Sequence, residues 1–446
     1  MIQTGKGQRL TLVSMSGLRV VDPALREAGL RLPGLARRAS ALSELPPLGL
    51  LTIAANVPDS WHVTLVCDDG TKDEKEVIEE IVASAPAVVA FSTLTPAADR
   101  AARLSGSLRH QGVTTAVGGL HATAAPEWCQ RSFDVVLVGD GEAILPEFLQ
   151  DFISGELRKR YQPSTPFSLH AAPIPRWDLW PQSDAPRYTV QTMRGCPWAC
   201  SFCAASRLLG PARMKPTEII VRELAAISDR QHRPWIELAD DNTFACDQDR
   251  IDMLEALRSV GARWFTESDW LIGKRPELLR QIARAGCRQI LIGLESSVFR
   301  YPGMGRKSAT WNEMLDAVQT IQAAGIVVNA CFIVGANGET PASIERLGQF
   351  LDTAPFGEIQ LTLQTPFPGT RLYQDLMKQG RLLNGDFSKY TLFDVVYRPD
   401  QMTPDELQRS FNELIRVVFR PEQQSRRDQI VRSIRGIQRR VRHSPL

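Results

Sequence analysis

Short apolar runs alternate with amphipathic stretches through most of this 446-residue chain, and few folds accommodate such an alternation. In a first block the runs 10–14, 62–66, 87–92, 114–117 and 134–138 are rich in β-branched residues, with helical patterns such as 75–84 and 97–110 between them. Strands that are apolar on both faces and joined through helices belong to a parallel sheet covered on each side. The first block therefore predicts a five-stranded, doubly wound, Rossmann-like α/β domain over residues 1–155. Pro163, Pro166, Pro173, Pro175, Pro181 and Pro186 then interrupt any periodicity, which marks a linker over 156–187. A second block has runs at 188–193, 235–239, 264–267, 289–294, 327–332 and 358–364. Helical patterns follow the first five, including 217–228 and the segment opened by Thr340-Pro341, where threonine caps and proline fits the first turn. Six βα units predict a partial (β/α)6 barrel over 188–375, with its site at the C-terminal ends of the strands, and 376–446 reads as a helical region.

Lys and Arg number 52 against 50 Asp and Glu, a net charge of +2, so no global positive field gathers phosphates and no nucleic-acid partner is expected. The balance hides a polarity: from Arg420 onward, eight arginines face only Glu422 and Asp428. Ile430, Ile434, Ile437 and Val441 share one helical face, which makes this tail a basic amphipathic helix. It is expected either to dock on the protein or to touch an anionic membrane surface peripherally. Neither a signal-peptide core nor a membrane-length apolar run is present, so the expected compartment is cytoplasmic, with reduced thiols.

Of eight cysteines, Cys67, Cys129, Cys246, Cys287 and Cys331 are scattered. Cys196, Cys200 and Cys203 are bunched as C-x3-C-x2-C immediately after the first strand of the second block. Three thiolates on so short a loop can ligate three irons of an iron–sulfur cube and leave the fourth open. Structural zinc needs four ligands, and only Cys246 or His232 could complete such a set through the tertiary fold.

In a doubly wound sheet, ligands bind beyond the strand C-termini where the strand order switches. The candidate residues there are Ser92 and Thr93, Gly118, Gly119 and His121, and Gly139 to Glu142. Glycines admit a large ligand close to the backbone, although the same turns also suit a strand end that binds nothing. No G-x-G-x-x-G follows the first strand, which weakens a dinucleotide reading.

The motif Arg194-Gly195-Cys196-Pro197-Trp198-Ala199-Cys200-Ser201-Phe202-Cys203, set at the first strand of a six-unit barrel, resembles the cluster loop of the radical SAM superfamily. Further segments match the superfamily in order: Leu238-Ala239-Asp240-Asp241-Asn242, Ile292-Gly293-Leu294-Glu295-Ser296, Gly335-Ala336-Asn337-Gly338-Glu339-Thr340 and Pro366-Phe367-Pro368-Gly369-Thr370. In the first block, Pro46-Pro47-Leu48-Gly49-Leu50-Leu51, Gly118-Gly119-Leu120-His121-Ala122-Thr123 and Val138-Gly139-Asp140-Gly141-Glu142 resemble the cobalamin (B12)-binding domain fused to many radical SAM proteins. The Asp-x-His-x-x-Gly motif that supplies a histidine below cobalt in other cobalamin proteins is absent, so either cobalt lacks that ligand or cobalamin has been lost.

The resemblance implies a 4Fe-4S cluster on Cys196, Cys200 and Cys203, with Phe202 beside it and the SAM adenine. It implies SAM or substrate roles for Asp240, Asp241, Glu267 and Glu295, of which Asp240, Asp241 and Glu295 are the catalytic candidates. A helix cap is the competing reading for the aspartates, and a buried salt bridge for the glutamates. Cobalamin would meet Pro47, Leu48, Gly49, Ser92, Thr93, Gly118, Gly119, His121, Gly139 and Glu142, with His121 read as a turn residue near the corrin or its tail. The implied activity is C-methylation, in which one SAM supplies a methyl group through methylcobalamin and a second supplies the 5'-deoxyadenosyl radical that abstracts hydrogen from an unactivated carbon. Cyclisation, ring contraction or rearrangement without methyl transfer is the alternative. A methylthiotransferase and a non-enzymatic cobalamin or metal sensor rank lower. Expected partners are a small-molecule or peptide substrate and an external electron donor of flavodoxin or ferredoxin type.

Overall fold

The computed structural model describes residues 8–15, 21–32, 35, 45–180, 187–245, 250–383 and 385–443. Cys246, a possible fourth zinc ligand, lies outside these residues.

The first block forms a six-stranded, all-parallel sheet in the order β2-β1-β3-β4-β5-β6. Its strands are β1 (Gln8–Met15), β2 (Trp61–Asp68), β3 (Val88–Thr93), β4 (Thr114–Gly118), β5 (Val135–Leu137) and β6 (Arg160–Tyr161). Five were expected; the sixth lies within the segment read as linker. Two residues carry no periodic signal, yet Val136 N donates to Lys159 O and Val138 N to Tyr161 O, and Tyr161 is buried. One apolar face packs against Leu145, Phe148 and Leu149, the other against Leu104, Leu108 and Phe133. Helix Glu74–Ala83 shows how locally the layout is encoded: Asp73 and Glu76 form a reciprocal capping box at its start, and Val77 and Ile81 bury one face. Strand order reverses between β1 and β3, which places the switch point beside Ser92 and Thr93.

The second block closes partway around an axis as six parallel strands in strict sequence order. These are β7 (Arg187–Val190), β10 (Trp235–Leu238), β11 (Arg263–Ser268), β12 (Cys287–Glu295), β13 (Val327–Val334) and β14 (Glu358–Leu363). Between β7 and β10 lies a short antiparallel pair, β8 (Met193–Arg194) with β9 (Arg213–Met214), so the expected strand 188–193 ends early, at Val190. Ile290, Ile292, Val328, Ala330 and Phe332 point outward into the helix layer, whereas Glu237, Glu267, Gln289, Asn329 and Gln360 occupy the alternate positions facing the lumen.

The tail helix Pro421–His443 docks on the barrel. Val431 and Ile434 pack on Val327, and Gln438 donates to the Cys287 carbonyl, which places the helix across the N-terminal ends of β12 and β13. Arg432, Arg435 and Arg439 remain exposed on its outer face. Ahead of the tail, the C-terminal region returns to the start of the chain. Asp394 accepts from the backbone N–H groups of Val21 (3.0 Å) and Asp22 (2.6 Å), and Asn412 donates to Asp22 at 3.1 Å. No helix among the described residues is long and apolar enough to cross a membrane.

Candidate functional site

The cysteine loop leaves the barrel just beyond β8 and is strapped down by main chain. Ala199 N donates to Gly303 O (3.1 Å) and Ser201 N to Pro302 O (2.8 Å). Gly303 has φ +84°, and a Cβ there would stand 1.9 Å from the Ala199 carbonyl, so only glycine permits the approach. Cys200 is buried and Cys196 and Cys203 are half-buried, all as free thiols. Burial pushes the Cys200 thiol up to about 11, while the Lys307 charge works in the opposite direction. Phe202 packs edge-on against Tyr301 at 4.6 Å, inside a small apolar cluster that also contains Cys200, Cys203 and Met304.

Residues 240–242, just past β10, grip the foot of this loop one after another. Asp240 accepts from Thr192 N (2.6 Å), Met193 N (3.0 Å) and Thr243 Oγ1 (2.8 Å), as well as from Thr192 Oγ1. With four hydrogen bonds and no exposed side-chain surface, Asp240 fixes the turn out of β7; this corrects its reading as a catalytic or SAM-binding group. Asp241 accepts from Gly195 N at 3.1 Å. Burial, with the charge of Asp240, raises its carboxyl to about 6 against the opposing Gly195 hydrogen bond. Asn242 donates to Cys196 Sγ at 3.8 Å and to Asp269 Oδ2 at 2.9 Å, and its carbonyl accepts from Asp269 N and Ser268 Oγ. Trp198 Nε1 completes the network by donating to Asp269 Oδ2 at 2.7 Å.

Glu295 also differs from its reading as a ligand-facing acid. It ends β12 at φ +64°, and its Oε1 meets the Lys307 ammonium at 3.4 Å, the salt bridge that was the competing interpretation. Burial works against the Lys307 ammonium, but the charges of Glu295, Cys200 and Asp269 outweigh it and keep the group protonated. Glu267 stands near the end of β11, where its backbone carbonyl accepts from Thr243 N at 3.0 Å while its carboxylate has no hydrogen bond or ion pair to a described residue. Burial, reinforced by Glu237, Asp241, Asp240 and Glu295, raises its carboxyl to about 8.

On the sheet domain, Ser92 and Gly118 are register partners at the adjacent ends of β3 and β4. Gly119 has φ +92°, and a Cβ there would meet Thr93 O at 2.9 Å, so the two strand ends approach as closely as backbone allows. His121 is fully buried between Trp128 (5.2 Å) and Phe387 (4.8 Å), with Nδ1 on Thr95 and Nε2 without a hydrogen-bond partner among the described residues. Burial lowers it to about 4, so it is neutral. It is core to an aromatic box rather than a turn residue. Pro47, Leu48 and Gly49 begin the helix Leu48–Ala54, and Leu48 packs toward the barrel. Gly139 is exposed, beside Pro163.

Glu142 is the remaining correction. Its carboxylate is claimed by Arg194, whose Nη2 donates at 2.6 Å, while Arg194 Nη1 reaches Asp140 at 2.7 Å. Arg213 also pairs with Asp140, at 2.9 Å. Burial works to raise the Asp140 carboxyl, but the Arg213 hydrogen bond and the Arg194 charge hold it below the usual range. Arg194 lies two residues before Cys196, so this network ties the 138–142 motif to the cluster loop. Nearby, helices Leu120–Ala124 and Ala205–Leu208 touch, and a Cβ on Gly369 would meet both Leu208 and Ala124. The edge carrying Gly118 and Gly119 therefore adjoins the end of the cysteine loop.

Sequence reasoning missed Arg194, Asn242, Asp269 and Lys307. Arg194 and Asn242 sat inside motifs already marked, without a role assigned; Asp269 and Lys307 carry no local signal of the pairing they make.

The donor set fits the groups this arrangement is built to hold. Three free thiols carried on one short loop suit three irons of a cube. The close-packed glycine edge beside the switch point lets a large ligand approach the backbone. The B12 binding domain model matches residues 34–149, and the Radical SAM superfamily model matches 190–351. The protein thus carries a radical SAM domain behind a B12-binding domain, and it is a radical SAM enzyme. It has the domain pairing of the cobalamin-dependent radical SAM enzymes, a B12-binding domain followed by a radical SAM domain.

Among its relatives is an uncharacterised methyltransferase of Pyrococcus horikoshii, 27% identical over 81% of this chain and 85% of that protein. Bacteriochlorophyllide d C-12(1)-methyltransferase of Chlorobaculum tepidum is 24% identical over 84% of this chain and 82% of its own length. The radical SAM methyltransferase TsrM of Kitasatospora setae, solved with cobalamin and a [4Fe-4S] cluster, shares the fold with a TM-score of 0.62 at 15% identity, covering 91% of this chain and 85% of that one.

Proposed function

We propose that this enzyme is a C-methyltransferase that moves a methyl group from SAM, by way of its cobalamin, to an unactivated carbon of a small molecule or peptide. The observation that carries the reading is the abutment of the cysteine loop at the barrel's C-terminal end on the Gly118-Gly119 edge of the sheet domain. The methyltransferase relatives, aligned over most of both chains, support it.

In this reading Cys196, Cys200 and Cys203 hold the cluster, and Asp241 and Glu267 receive the cationic end of SAM or a substrate group. Ser92, Thr93, Gly118 and Gly119 face the corrin. When bound, the cofactors supply a carbon-centred radical and an activated methyl group. The protein's own part is to orient and to exclude water: Phe202 and Tyr301 keep the loop dry, and Asp240 holds the strand turn beneath it. The division we propose is a B12-binding domain over 1–155, a connecting segment over 156–187, the barrel over 188–375 and the helical region over 376–446. An external donor of the flavodoxin or ferredoxin class supplies the electron. The outer arginines of the tail are the proposed contact for an anionic membrane surface, and cosedimentation with phosphatidylglycerol vesicles tests that contact.

The deciding experiment incubates the anaerobically reconstituted, reduced enzyme with SAM bearing a trideuterated methyl group and a metabolite extract of its host cell. A product carrying the trideuterated methyl supports the proposal. Unlabelled product formed together with 5'-deoxyadenosine indicates cyclisation or rearrangement instead.

A further inference from the structure

The Asn242 amide uses every hydrogen-bonding position it has. Its carbonyl accepts from Asp269 N at 3.1 Å and Ser268 Oγ at 3.3 Å, and one N–H is anchored on Asp269 Oδ2 at 2.9 Å. Donors around the oxygen and a carboxylate at the nitrogen leave one amide orientation. The same nitrogen lies 3.8 Å from Cys196 Sγ and donates to it. Asn242 is itself buried and Cys196 half-buried, so this N–H is shielded from water on its own side.

We propose that Asn242 is a positioning residue that sets the reduction potential of the cluster through this N–H···S bond. Hydrogen bonds to cluster sulfurs stabilise the reduced form, which carries one more negative charge, and so raise the potential. A buried donor acts strongly because the local dielectric is low. The electron enters the cluster from outside and leaves to the sulfonium of SAM. A potential set too low slows filling by the donor, and one set too high removes the driving force for reductive cleavage. The inference rests on the cluster assignment made above and adds a residue that is not itself one of the three thiol ligands.

The test is an EPR-monitored redox titration of the reconstituted full-length enzyme, with iron counted in each sample. Asn242→Ala removes the donor. Asn242→Leu keeps the approximate shape without the N–H and without a new charge, and serves where alanine impairs folding or cluster retention. Trp198→Phe loosens the Asp269 end of the network and leaves the N–H···S bond in place.

Both Asn242 variants are expected to titrate at a more negative midpoint than the parent with the same iron content, and Trp198→Phe within error of the parent. An unchanged or more positive midpoint in an Asn242 variant that retains its iron overturns the proposal, as does an equal negative shift in Trp198→Phe. Absence of iron from the parent enzyme itself refutes the cluster assignment instead, so the two failures are distinguishable.

Discussion

Replacing Arg194 by methionine takes the cation out of a buried network and leaves the Glu142 carboxylate without its ion-pair partner, although Asp140 keeps Arg213. The side chains of Arg194, Asp140 and Glu142 are 12%, 10% and 5% exposed, so solvent offers the stranded charge little relief. Removing one partner of such a pair costs about 3–5 kcal/mol. Glu142→Gln costs less, about 2 kcal/mol, because Arg194 retains Asp140 and Gln191. The double variant strands no new carboxylate, so it is expected to cost about 2 kcal/mol less than the sum of the single changes.

Whole-chain unfolding of a multidomain protein is a poor gauge of such a local change. Amide hydrogen exchange over 141–143 and 192–196 measures local opening directly. At about 1.4 kcal/mol per tenfold, Arg194→Met is expected to speed exchange in both segments by about a hundredfold or more. The double variant then exchanges about thirtyfold more slowly than additivity requires. Strictly additive behaviour, or acceleration confined to one of the two segments, refutes the claim that the network fastens the sheet domain to the cluster loop.

Cys200→Ala is expected to abolish cluster absorption near 400 nm while far-ultraviolet circular dichroism stays unchanged, since one small buried side chain becomes another. Glu267 is raised to about 8 in the fold against an unfolded value near 4.5, so the folded state takes up a proton and loses stability as pH rises between those values. Glu267→Gln is expected to flatten that decline, read as the thermal midpoint of the apoprotein at pH 5 and pH 8. Gly119→Val brings a side chain onto the Thr93 backbone at positive φ; it is expected to lower the thermal midpoint and weaken cobalamin retention on gel filtration, with alanine giving a smaller effect of the same sign. Ile434→Asp puts a charge where the tail meets Val327, and faster proteolysis within 421–443 is the expected readout.

Both sheets were legible in the sequence because parallel strands buried on two faces write themselves as continuous apolar runs. Tyr161 escaped because a two-residue strand has no period, and the end of β7 was misplaced because the chain turns there through hydrogen bonds to Asp240, far along the sequence. The three cluster cysteines were legible for a different reason: a loop wrapping one group leaves its spacing in the primary structure. The carboxylates were not. Asp240, Glu142 and Glu295 have the residue type of a binding site, but partners at positions 192, 194 and 307 occupy them, and charge pairing across a fold leaves no mark at either position alone. Asp241, held by Gly195 N, and Glu267, whose carboxylate has no partner among the described residues, have raised carboxyls, about 6 and about 8.

The contact of Phe387 with His121 joins the beginning of the chain to its last fifth, and it has a temporal side. As the ribosome works from the amino end, the first sheet is complete after residue 161, yet the aromatic lid over His121 does not exist until residue 387 has emerged, and the Asp394 clasp on Val21 and Asp22 follows still later. Throughout synthesis of the barrel, the His121 side of the first domain therefore stands uncovered by Phe387. Closure waits for the carboxyl-terminal region.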